Sequence, residues 1–351
     1  MVLITKDIAG ELISYLASHK HDRTYILTDT NTRNACLPLL QPVQALRQAE
    51  VITIAAGDTH KDIEQVARIW TILSQSGASR HSLLINLGGG MVTDLGGFAG
   101  ATFKRGLHTL NIPTTLMAAV DAAVGGKTGI NFNGLKNEIG AFYPPDAVLI
   151  DTVFLRSLDR DNILSGFAEM LKHGLISDEN HLNSLLAFEI EGRQIDIEPL
   201  HALVETSVAV KERIVSEDPK EQGIRKALNF GHTVGHALES LFFAKHHPIL
   251  HGHAVAAGMV CELYLSHKQC AMPVEVLRRT VNLIRSGYPS LAFDCHDYEA
   301  LYERMTHDKK NEGGRIRFAL LEGVGDIRID QEVDKKHVFE SLDFYRETMG
   351  R

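Results

Sequence analysis

The sequence has few cysteines, and none of them has the spacing of a metal site. The four cysteines are Cys36, Cys261, Cys270 and Cys295, and no two of them form a CxxC pair. This pattern excludes a zinc finger and a disulfide-stabilised secreted domain. We therefore expect reduced, mostly packed thiols in a cytoplasmic protein.

The sequence also lacks a secretion signal, a membrane-spanning run and a surplus of basic residues. Its first residues, MVLITKDIAGEL, show no basic region followed by an apolar core. The longest apolar stretch, near residues 254–265, is too short to span a bilayer and contains Glu262. A net charge of -8 argues against nucleic acid or an anionic membrane as the main partner.

The character of the sequence changes near residue 155. Before this point, short β-branched runs at residues 25–28, 51–54 and 82–86 alternate with helical patterns at residues 61–75 and from about residue 91. Such alternation predicts a parallel sheet covered by helices. We therefore expect residues 1–155 to form an α/β domain with a Rossmann-like fold.

The second part of the chain has a helical period almost throughout. We expect residues 156–351 to form a mainly α-helical domain, with the active cleft between the two domains. A late pair of strands is expected at residues 316–321 and 325–329. The helices are predicted at residues 161–176, 201–216, 226–243, 254–266 and 274–286.

The most informative segment is LNFGHTVGHAL, residues 228–238. It places His232 and His236 one helical turn apart, so both imidazoles can face one cavity. His251 follows in HGH, and Glu169 precedes them in GFAEMLKHGLI. Two histidines and a carboxylate from separate segments are typical of an open, catalytic zinc site. The alternative is a histidine-rich pair of helices that binds no metal.

A glycine turn, residues 87–90, follows a predicted strand and opens a helix. Such a turn lets the backbone approach a pyrophosphate at a helix N-terminus, although a plain tight turn would have the same sequence. Thr93 stands where the third glycine of GxGxxG would lie. Asp29 could hold a ribose hydroxyl or cap a turn. Asp121 replaces the first glycine of a P-loop, which excludes that motif before Lys127.

Taken together, the segments closely resemble the 3-dehydroquinate synthase family of sugar-phosphate cyclases. The resemblance extends from about Asp29 to Gly325, and the family's fold agrees with the two domains expected above. Its members are usually homodimers. The strings that carry it are NLGGGMVTDLGGFAGATFKRG, IPTTLMAAVDAAVGGKTGIN, LKNEIGAFYPP, GFAEMLKHGLI, RKALNFGHTVGHALES and HGHAVAAGM.

The resemblance implies a role for each matching position. It makes Glu169, His232 and His251 the zinc ligands, with cobalt as the alternative metal, and it moves His236 to the substrate phosphate. Arg105 matches a residue that reaches the phosphate of the neighbouring subunit. NAD is implied at Asp29, Asn31, Asp58, Lys61, Gly89, Gly90, Asp94, Thr114, Thr115, Asp121, Lys127 and Lys136. The substrate's phosphate, carboxylate and hydroxyls are implied at Lys127, Lys136, Asn137, Lys172, Lys211, Arg225, Asn229 and Lys310, with Lys309 as the alternative to Lys310.

The resemblance also implies the reaction and its place in metabolism. The family converts 3-deoxy-D-arabino-heptulosonate 7-phosphate to 3-dehydroquinate and phosphate, within the shikimate pathway to chorismate and the aromatic amino acids. The route is transient oxidation by NAD, β-elimination of phosphate, re-reduction and intramolecular aldol closure. Taken alone, each cationic residue above could be a solvated surface charge.

The sequence departs from the family pattern at three places. His253 replaces a glutamate near the metal, where it could be a fourth ligand or could contact the residues that bind the metal. Asp58 stands in place of a usual glutamate, and Ala122 and Ala123 replace two serines. None of these changes removes a group that the mechanism requires.

Three alternatives remain at this level. One is a cyclase acting on sedoheptulose 7-phosphate. This sugar has no carboxylate, so the presence of Arg225 and Lys211 favours the heptulosonate instead. Another is a glycerol-type dehydrogenase, which does not bind a phosphate and therefore does not need Lys127, Asn137 and Lys310. The last is an NAD-binding protein without activity.

Overall fold

A computed structural model describes residues 1–133, 135–191, 195–306 and 315–350. The chain forms two compact units. The first contains Met1–Asp159 and Ile197–His201, and the second contains Arg160–Asp196 and Ala202–Arg351. Among the helices in the described ranges, none is long and apolar enough to cross a membrane.

The first unit is built on a parallel sheet of six strands in the order β1-β8-β5-β4-β2-β3. Two further strands, β6 and β7, form an antiparallel hairpin. The strands are β1 (Val2–Thr5), β2 (Thr24–Asp29), β3 (Glu50–Ile54), β4 (Leu83–Gly88), β5 (His108–Pro113), β6 (Lys127–Phe132), β7 (Leu135–Phe142) and β8 (Ala147–Asp151); the helices are α1 (Ile8–Ser18), α2 (Thr30–Ala35), α3 (Ile63–Gln75) and α4 (Gly90–Thr102).

The sheet is buried on both faces, as parallel sheets in α/β proteins are. All six residues of β4 are buried. On one face Ile26 and Ile85 pack with Leu12 of α1, whereas on the other Leu27 packs with Val66 of α3. Alternate residues of each strand thus enter two separate cores, which explains why these strands are nearly continuous apolar runs.

Parallel pairing brings the carboxyl ends of neighbouring strands to one edge of the sheet. Ile26 pairs with Ile85, and Ile85 pairs with Leu110, so β2, β4 and β5 end together. Asp29 is the last residue of β2, and Gly89 and Thr114 are the first residues after β4 and β5. This edge is where ligands bind in open α/β sheets.

The second unit is mainly helical, and the late strand pair predicted from sequence is confirmed as an antiparallel hairpin. Nearly all of α7 belongs to this unit. Its elements are α5 (Arg160–Ser177), α6 (Glu179–Leu186), α7 (Leu200–Glu217), α8 (His232–Ala244), α9 (His251–Cys270), α10 (Val274–Gly287), α11 (Tyr298–Thr306), β9 (Arg317–Gly323), β10 (Asp326–Glu332) and α12 (Lys335–Thr348).

The centre of this unit is α9, which packs against α5, α8, α10, α12 and β9. Every residue from position 252 to 263 is buried, and so is every residue of α5 from 163 to 176. Helices that are buried on all sides have no polar face to show in the sequence. Polar groups that lie on them, such as Glu169 and Glu262, therefore need partners within the protein.

The predicted helix over residues 226–243 is wrong in its first part. A 3-10 helix, Ile224–Asn229, precedes Phe230 and Gly231, and α8 begins only at His232. Gly231 has a φ of 79°, a left-handed conformation that ends one helix and starts another. Arg225 accordingly lies on a separate turn and not on the helix that carries His232.

Candidate active site

Three helices of the second unit bring Glu169, His232 and His251 together. Glu169 is on α5, and its Oε1 lies 3.5 Å from Nε2 of His232 and 3.5 Å from Nε2 of His251. The first helical residues of α8 and α9 are the two histidines. Glu169 is fully buried, and Lys172, one turn later on α5, contacts its other oxygen.

In His232 and His251, the ring nitrogen that faces away from Glu169 has a partner that fixes the orientation of the ring. Nδ1 of His232 lies 3.1 Å from the carbonyl oxygen of Phe230, and Nδ1 of His251 lies 3.3 Å from Oε2 of Glu239. If each Nδ1–H donates to its oxygen, both Nε2 atoms present lone pairs toward Glu169. Metal-binding histidines are commonly oriented in this way.

The arrangement fits a zinc ion between the three side chains. Oε1 of Glu169 is buried and has no hydrogen-bond partner within the described ranges. Ligands of tetrahedral zinc, at about 2.0–2.1 Å from the metal, are separated by about 3.3–3.4 Å. The two separations of 3.5 Å match that geometry better than they match hydrogen bonds.

Electrostatics keep Glu169 and His232 in forms that suit a cation, whereas the carboxylates around His251 favour its protonated form, so a metal would have to displace that proton. Burial raises the pKa of Glu169, but Lys172 and His232 outweigh burial and hold it well below its ordinary value. Burial also lowers the pKa of His232 to about 4, against the opposing effect of Glu169, so this imidazole is neutral. Burial opposes charge on His251 too, but Glu169 and Glu239 outweigh it and raise its pKa to about 10.

Glu239 was not anticipated from the sequence. It is buried on α8, seven residues after His232, and only the fold brings it to His251. A carboxylate within two turns of paired histidines is the signal that could have found it.

We expect Glu239→Gln to weaken zinc binding about tenfold, because the amide keeps the acceptor but loses the charge behind His251. Competition with a chromophoric chelator measures the affinity. Glu275→Gln makes the same chemical change at an exposed carboxylate that pairs with Arg278, and it should leave zinc affinity unchanged. Equal affinities for both variants and the parent would contradict the role given to Glu239.

His236 lies beside the three side chains, whereas His253 contacts an aromatic ring. The rings of His232 and His236 are 5.3 Å apart, which confirms that they share a helix face. Ligand atoms of His232, His236 and His251 also lie within 4.8 Å of one another. His253 is buried, with its ring edge-on to Tyr288 at 5.8 Å.

The cationic residues predicted for the substrate in this unit are buried. Arg225, Lys172 and Lys211 are at most 5% exposed. Nη1 of Arg225 donates to the carbonyl of Pro219 at 2.6 Å, and its backbone N–H donates to Asp218 at 3.1 Å. Such burial is uncommon for solvated surface charges. Lys309 and Lys310 lie outside the described residues.

Asn229 ends the 3-10 helix that carries Arg225. Its Nδ2 donates to Oε1 of Glu221 at 2.8 Å. Glu221 has a φ of 58°, a strained conformation for this residue type, and it too was not anticipated from the sequence. Strained backbone is common in segments that position functional groups.

In the first unit, Lys61 joins two of the predicted residues. Its buried ammonium donates to Oδ2 of Asp94, on α4, and to Oδ1 of Asn137, on β7. Asn137 has a φ of 49°. Burial raises the pKa of Asp94, and Lys61 opposes that effect.

Other predicted cofactor residues lie near this group or at the carboxyl edge of the sheet. Nζ of Lys136 lies 3.1 Å from Oδ2 of Asp58. Thr114 donates its N–H to Gly88 at 3.0 Å. Gly89 caps α4 and lies against Thr115, Gly90 is the first residue of α4, Asp121 lies on a π-helical turn, and Lys127 is exposed at the start of β6.

Asp29 caps α2 in the structure. Its Oδ1 accepts from the N–H groups of Asn31 and Thr32 at 2.8 and 2.7 Å. The capping alternative is therefore confirmed, and a role for Asp29 and Asn31 in holding a ribose stays a prediction.

Arg105 lies on a strained, exposed turn. Lys104, Arg105 and Gly106 have φ values of 49°, 66° and 125° in succession. Two consecutive left-handed residues other than glycine are rare, and such strain concentrates at functional segments.

Comparison with known proteins shows the family. The model for the N-terminal region of 3-dehydroquinate synthase matches residues 51–165, and the model for its C-terminal region matches residues 166–311. A 3-dehydroquinate synthase from Parabacteroides distasonis is 63% identical over 349 residues, which are 99% of this chain and 98% of the relative. The chain belongs to the 3-dehydroquinate synthase family. It is therefore an enzyme, as the resemblance implied.

Solved structures of two sugar-phosphate cyclases share the fold. The 2-epi-5-epi-valiolone synthase from Streptomyces hygroscopicus, with NAD+ and Zn2+ bound, has a TM-score of 0.87 and 25% identity, covering 99% of this chain and 96% of its own. A 2-deoxy-scyllo-inosose synthase has a TM-score of 0.85 and 22% identity, with the same coverage. These likenesses confirm the predicted α/β fold class with a helical C-terminal part.

Proposed function

We propose that the protein converts 3-deoxy-D-arabino-heptulosonate 7-phosphate to 3-dehydroquinate and phosphate, as a carbon–oxygen lyase. The observation that carries this proposal is the buried Glu169, 3.5 Å from two oriented imidazoles, in a chain that is 63% identical to a 3-dehydroquinate synthase. An inactive NAD-binding protein would have no need of such a site.

We propose NAD and zinc as the cofactors, with cobalt as the alternative metal. The valiolone synthase that shares the fold holds NAD+ and Zn2+, which supports this assignment. When bound, zinc supplies a Lewis acid to substrate oxygen and NAD supplies a reversible hydride acceptor. Glu169, His232 and His251 would hold the zinc.

The remaining polar residues of the second unit orient the substrate by charge. A planar guanidinium suits the carboxylate, so we assign that group to Arg225. Lys172 also keeps Glu169 ionised through their contact. His236 is assigned to the phosphate, and the other contacts to hydroxyls and phosphate are assigned to Lys172, Lys211, Asn229 and Lys310.

We assign the cofactor to the first unit. Lys61 holds Asp94 and Asn137 in fixed positions, and a pyrophosphate suits the N-terminus of α4 at Gly89. Lys127, Lys136 and Asn137 serve the substrate from the hairpin β6–β7. The other NAD contacts are assigned to Asp29, Asn31, Asp58, Gly90, Thr114, Thr115 and Asp121.

We propose that the active form is a homodimer in which Arg105 reaches the phosphate held by the neighbouring subunit. The strained turn at Lys104 and Arg105 supports this role. A cytoplasmic location in the shikimate pathway is part of the same proposal. The four free cysteines support a reducing compartment.

The proposed reaction needs NAD without consuming it, because the substrate and the products have the same overall oxidation state. We expect substoichiometric NAD to sustain many turnovers, with phosphate and 3-dehydroquinate released in equal amounts and no net NADH. Phosphate release, dehydroquinate absorbance and NADH absorbance are followed in one reaction.

The same assay separates the alternatives. Growth of NADH in proportion to substrate loss would indicate a dehydrogenase and contradict the proposal. Zinc binding without turnover of any sugar phosphate would indicate an inactive member of the family.

A further inference from the structure

The N-terminus of α8 depends on a side chain from another helix. Its N-cap is Gly231, which has no side chain to accept the first free N–H groups of the helix. Glu262 of α9 accepts them instead. The N–H of Gly231 donates to Oε2 at 2.7 Å, and the N–H of Val234 donates to Oε1 at 3.2 Å.

Glu262 is fully buried, so its contacts with α8 have a large effect on local geometry. A buried carboxylate requires such partners, and its charge also interacts favourably with the positive end of a helix. Hydrogen bonds to an ionised acceptor are roughly twice as strong as neutral ones. Both oxygens of Glu262 are used on the same helix terminus.

Close backbone packing restricts α8 at the same point. A Cβ atom added to Gly258, one turn before Glu262, would lie 2.0 Å from the carbonyl oxygen of Gly231 and 2.7 Å from the nitrogen of Gly235. One added to Gly231 would lie 2.6 Å from Cγ of Met259. The start of α8 is therefore held directly against the backbone of α9.

His232 lies between the two N–H groups that Glu262 accepts, and His251 is the first residue of α9. Holding the start of α8 on α9 therefore fixes the separation between these two imidazoles. A displacement of either imidazole by a few tenths of an ångström would weaken zinc binding, because zinc requires ligands at about 2.0–2.1 Å.

We propose that Glu262 is a positioning residue for the metal centre. It sets where His232 stands relative to His251 by capping α8 from α9. This inference rests on the zinc site proposed above. Glu262 has no role in the resemblance, and its place in an apolar stretch gave no sign of one.

Glu262→Gln tests the proposal. Glutamine has the same size but only one acceptor oxygen, so its NH2 group faces one of the two N–H donors. We expect about tenfold weaker zinc binding by the folded protein, measured by chelator competition. The visible spectrum of the cobalt-loaded variant should also shift, and NAD affinity should stay unchanged. Glu262→Asp keeps both oxygens and should lose less affinity.

Ser266→Ala is the matched control on the same helix. The buried Ser266 Oγ accepts the N–H of Leu321 at 3.0 Å and donates to the backbone carbonyl of Glu262 at 2.7 Å. Its loss removes neither contact of the Glu262 carboxylate with α8, so it should lower the Tm without changing zinc affinity or the cobalt spectrum. Glu262→Gln with parental zinc affinity and spectrum, whatever its Tm, would overturn the proposal. Where Glu262→Gln does not fold, Glu262→Asp is tested instead: its shorter side chain should give a smaller but measurable loss of zinc affinity and a shifted cobalt spectrum, and parental values of both would overturn the proposal. A parent that binds no zinc would overturn the proposed metal site together with this inference.

Discussion

Replacing His232 by alanine is expected to remove zinc and turnover together. The change leaves Glu169 and His251 as ligands, and an open three-ligand site cannot lose one of them. We expect almost no zinc after dialysis. The expected fall in kcat/KM is at least about a thousandfold, since Lewis-acid stabilisation amounts to several kcal/mol. Elemental analysis and phosphate release measure the two effects.

The neighbouring histidines provide the comparisons. His251→Ala should behave like His232→Ala, because both Nε2 atoms lie at the same distance from Glu169. His236→Ala should keep the metal and lose turnover, because we assign this residue to the phosphate. His253→Ala should keep the metal, since this ring packs against Tyr288.

The outcome that would contradict this assignment is specific. Ligand atoms of His236 lie near those of His232 and His251, so a set of three histidines is the competing arrangement. Loss of zinc from His236→Ala, with zinc retained by His251→Ala, would show that the assignment of ligands is wrong.

The predictable part of the fold is the part that local sequence determines. The strands β2, β3 and β4 were expected from β-branched runs, and α3 and α4 from their periodicity. The strands β1, β5, β6, β7 and β8 were not predicted, and β5 contains Asn111, a buried residue of a type that is depleted in strands. Asn86, 25 residues away, donates to Asn111 at 2.9 Å. A polar residue paired inside a sheet has no local signal.

The predictable part of the site is the identity of its groups and not their orientation. The spacing of His232 and His236 was enough to place both rings on one helix face. No pattern could show that the carbonyl of Phe230 holds His232, because every residue has a carbonyl. The contact of Lys61 with Asn137 joins residues 76 apart in sequence, so only the fold determines it.

The break before α8 shows how tertiary contacts override a periodic pattern. Residues 226–243 have helical periodicity, yet the chain turns at Gly231. The left-handed glycine fits against α9, where Glu262 accepts its N–H. The periodicity on either side of Gly231 is a local property of the sequence, whereas the contact with α9 that favours the turn is not.

The turn before α8 places Arg225 in contact with the loop at Pro219, which the sequence did not predict. Its guanidinium is buried, with Nη1 donating to Pro219 at 2.6 Å. A guanidinium carries five N–H donors in one plane, a geometry that suits a carboxylate bound in two places. Lysine has one ammonium on a flexible stem, so it cannot keep the loop contact and bind a carboxylate in two places.

We therefore expect Arg225→Lys to lower kcat/KM for the heptulosonate phosphate roughly 30- to 150-fold, which corresponds to a loss of about 2–3 kcal/mol of transition-state stabilisation. Zinc content and NAD affinity should barely change. Lys226→Arg is the matched control, because this neighbour pairs with Asp330 at 2.7 Å and should tolerate the swap. Sedoheptulose 7-phosphate lacks the carboxylate and should be a poor substrate for the parent enzyme, since it cannot make the contact that we assign to the buried guanidinium. Equal turnover of the two sugars by the parent would contradict both this role for Arg225 and the choice of 3-dehydroquinate synthase over its sister cyclases.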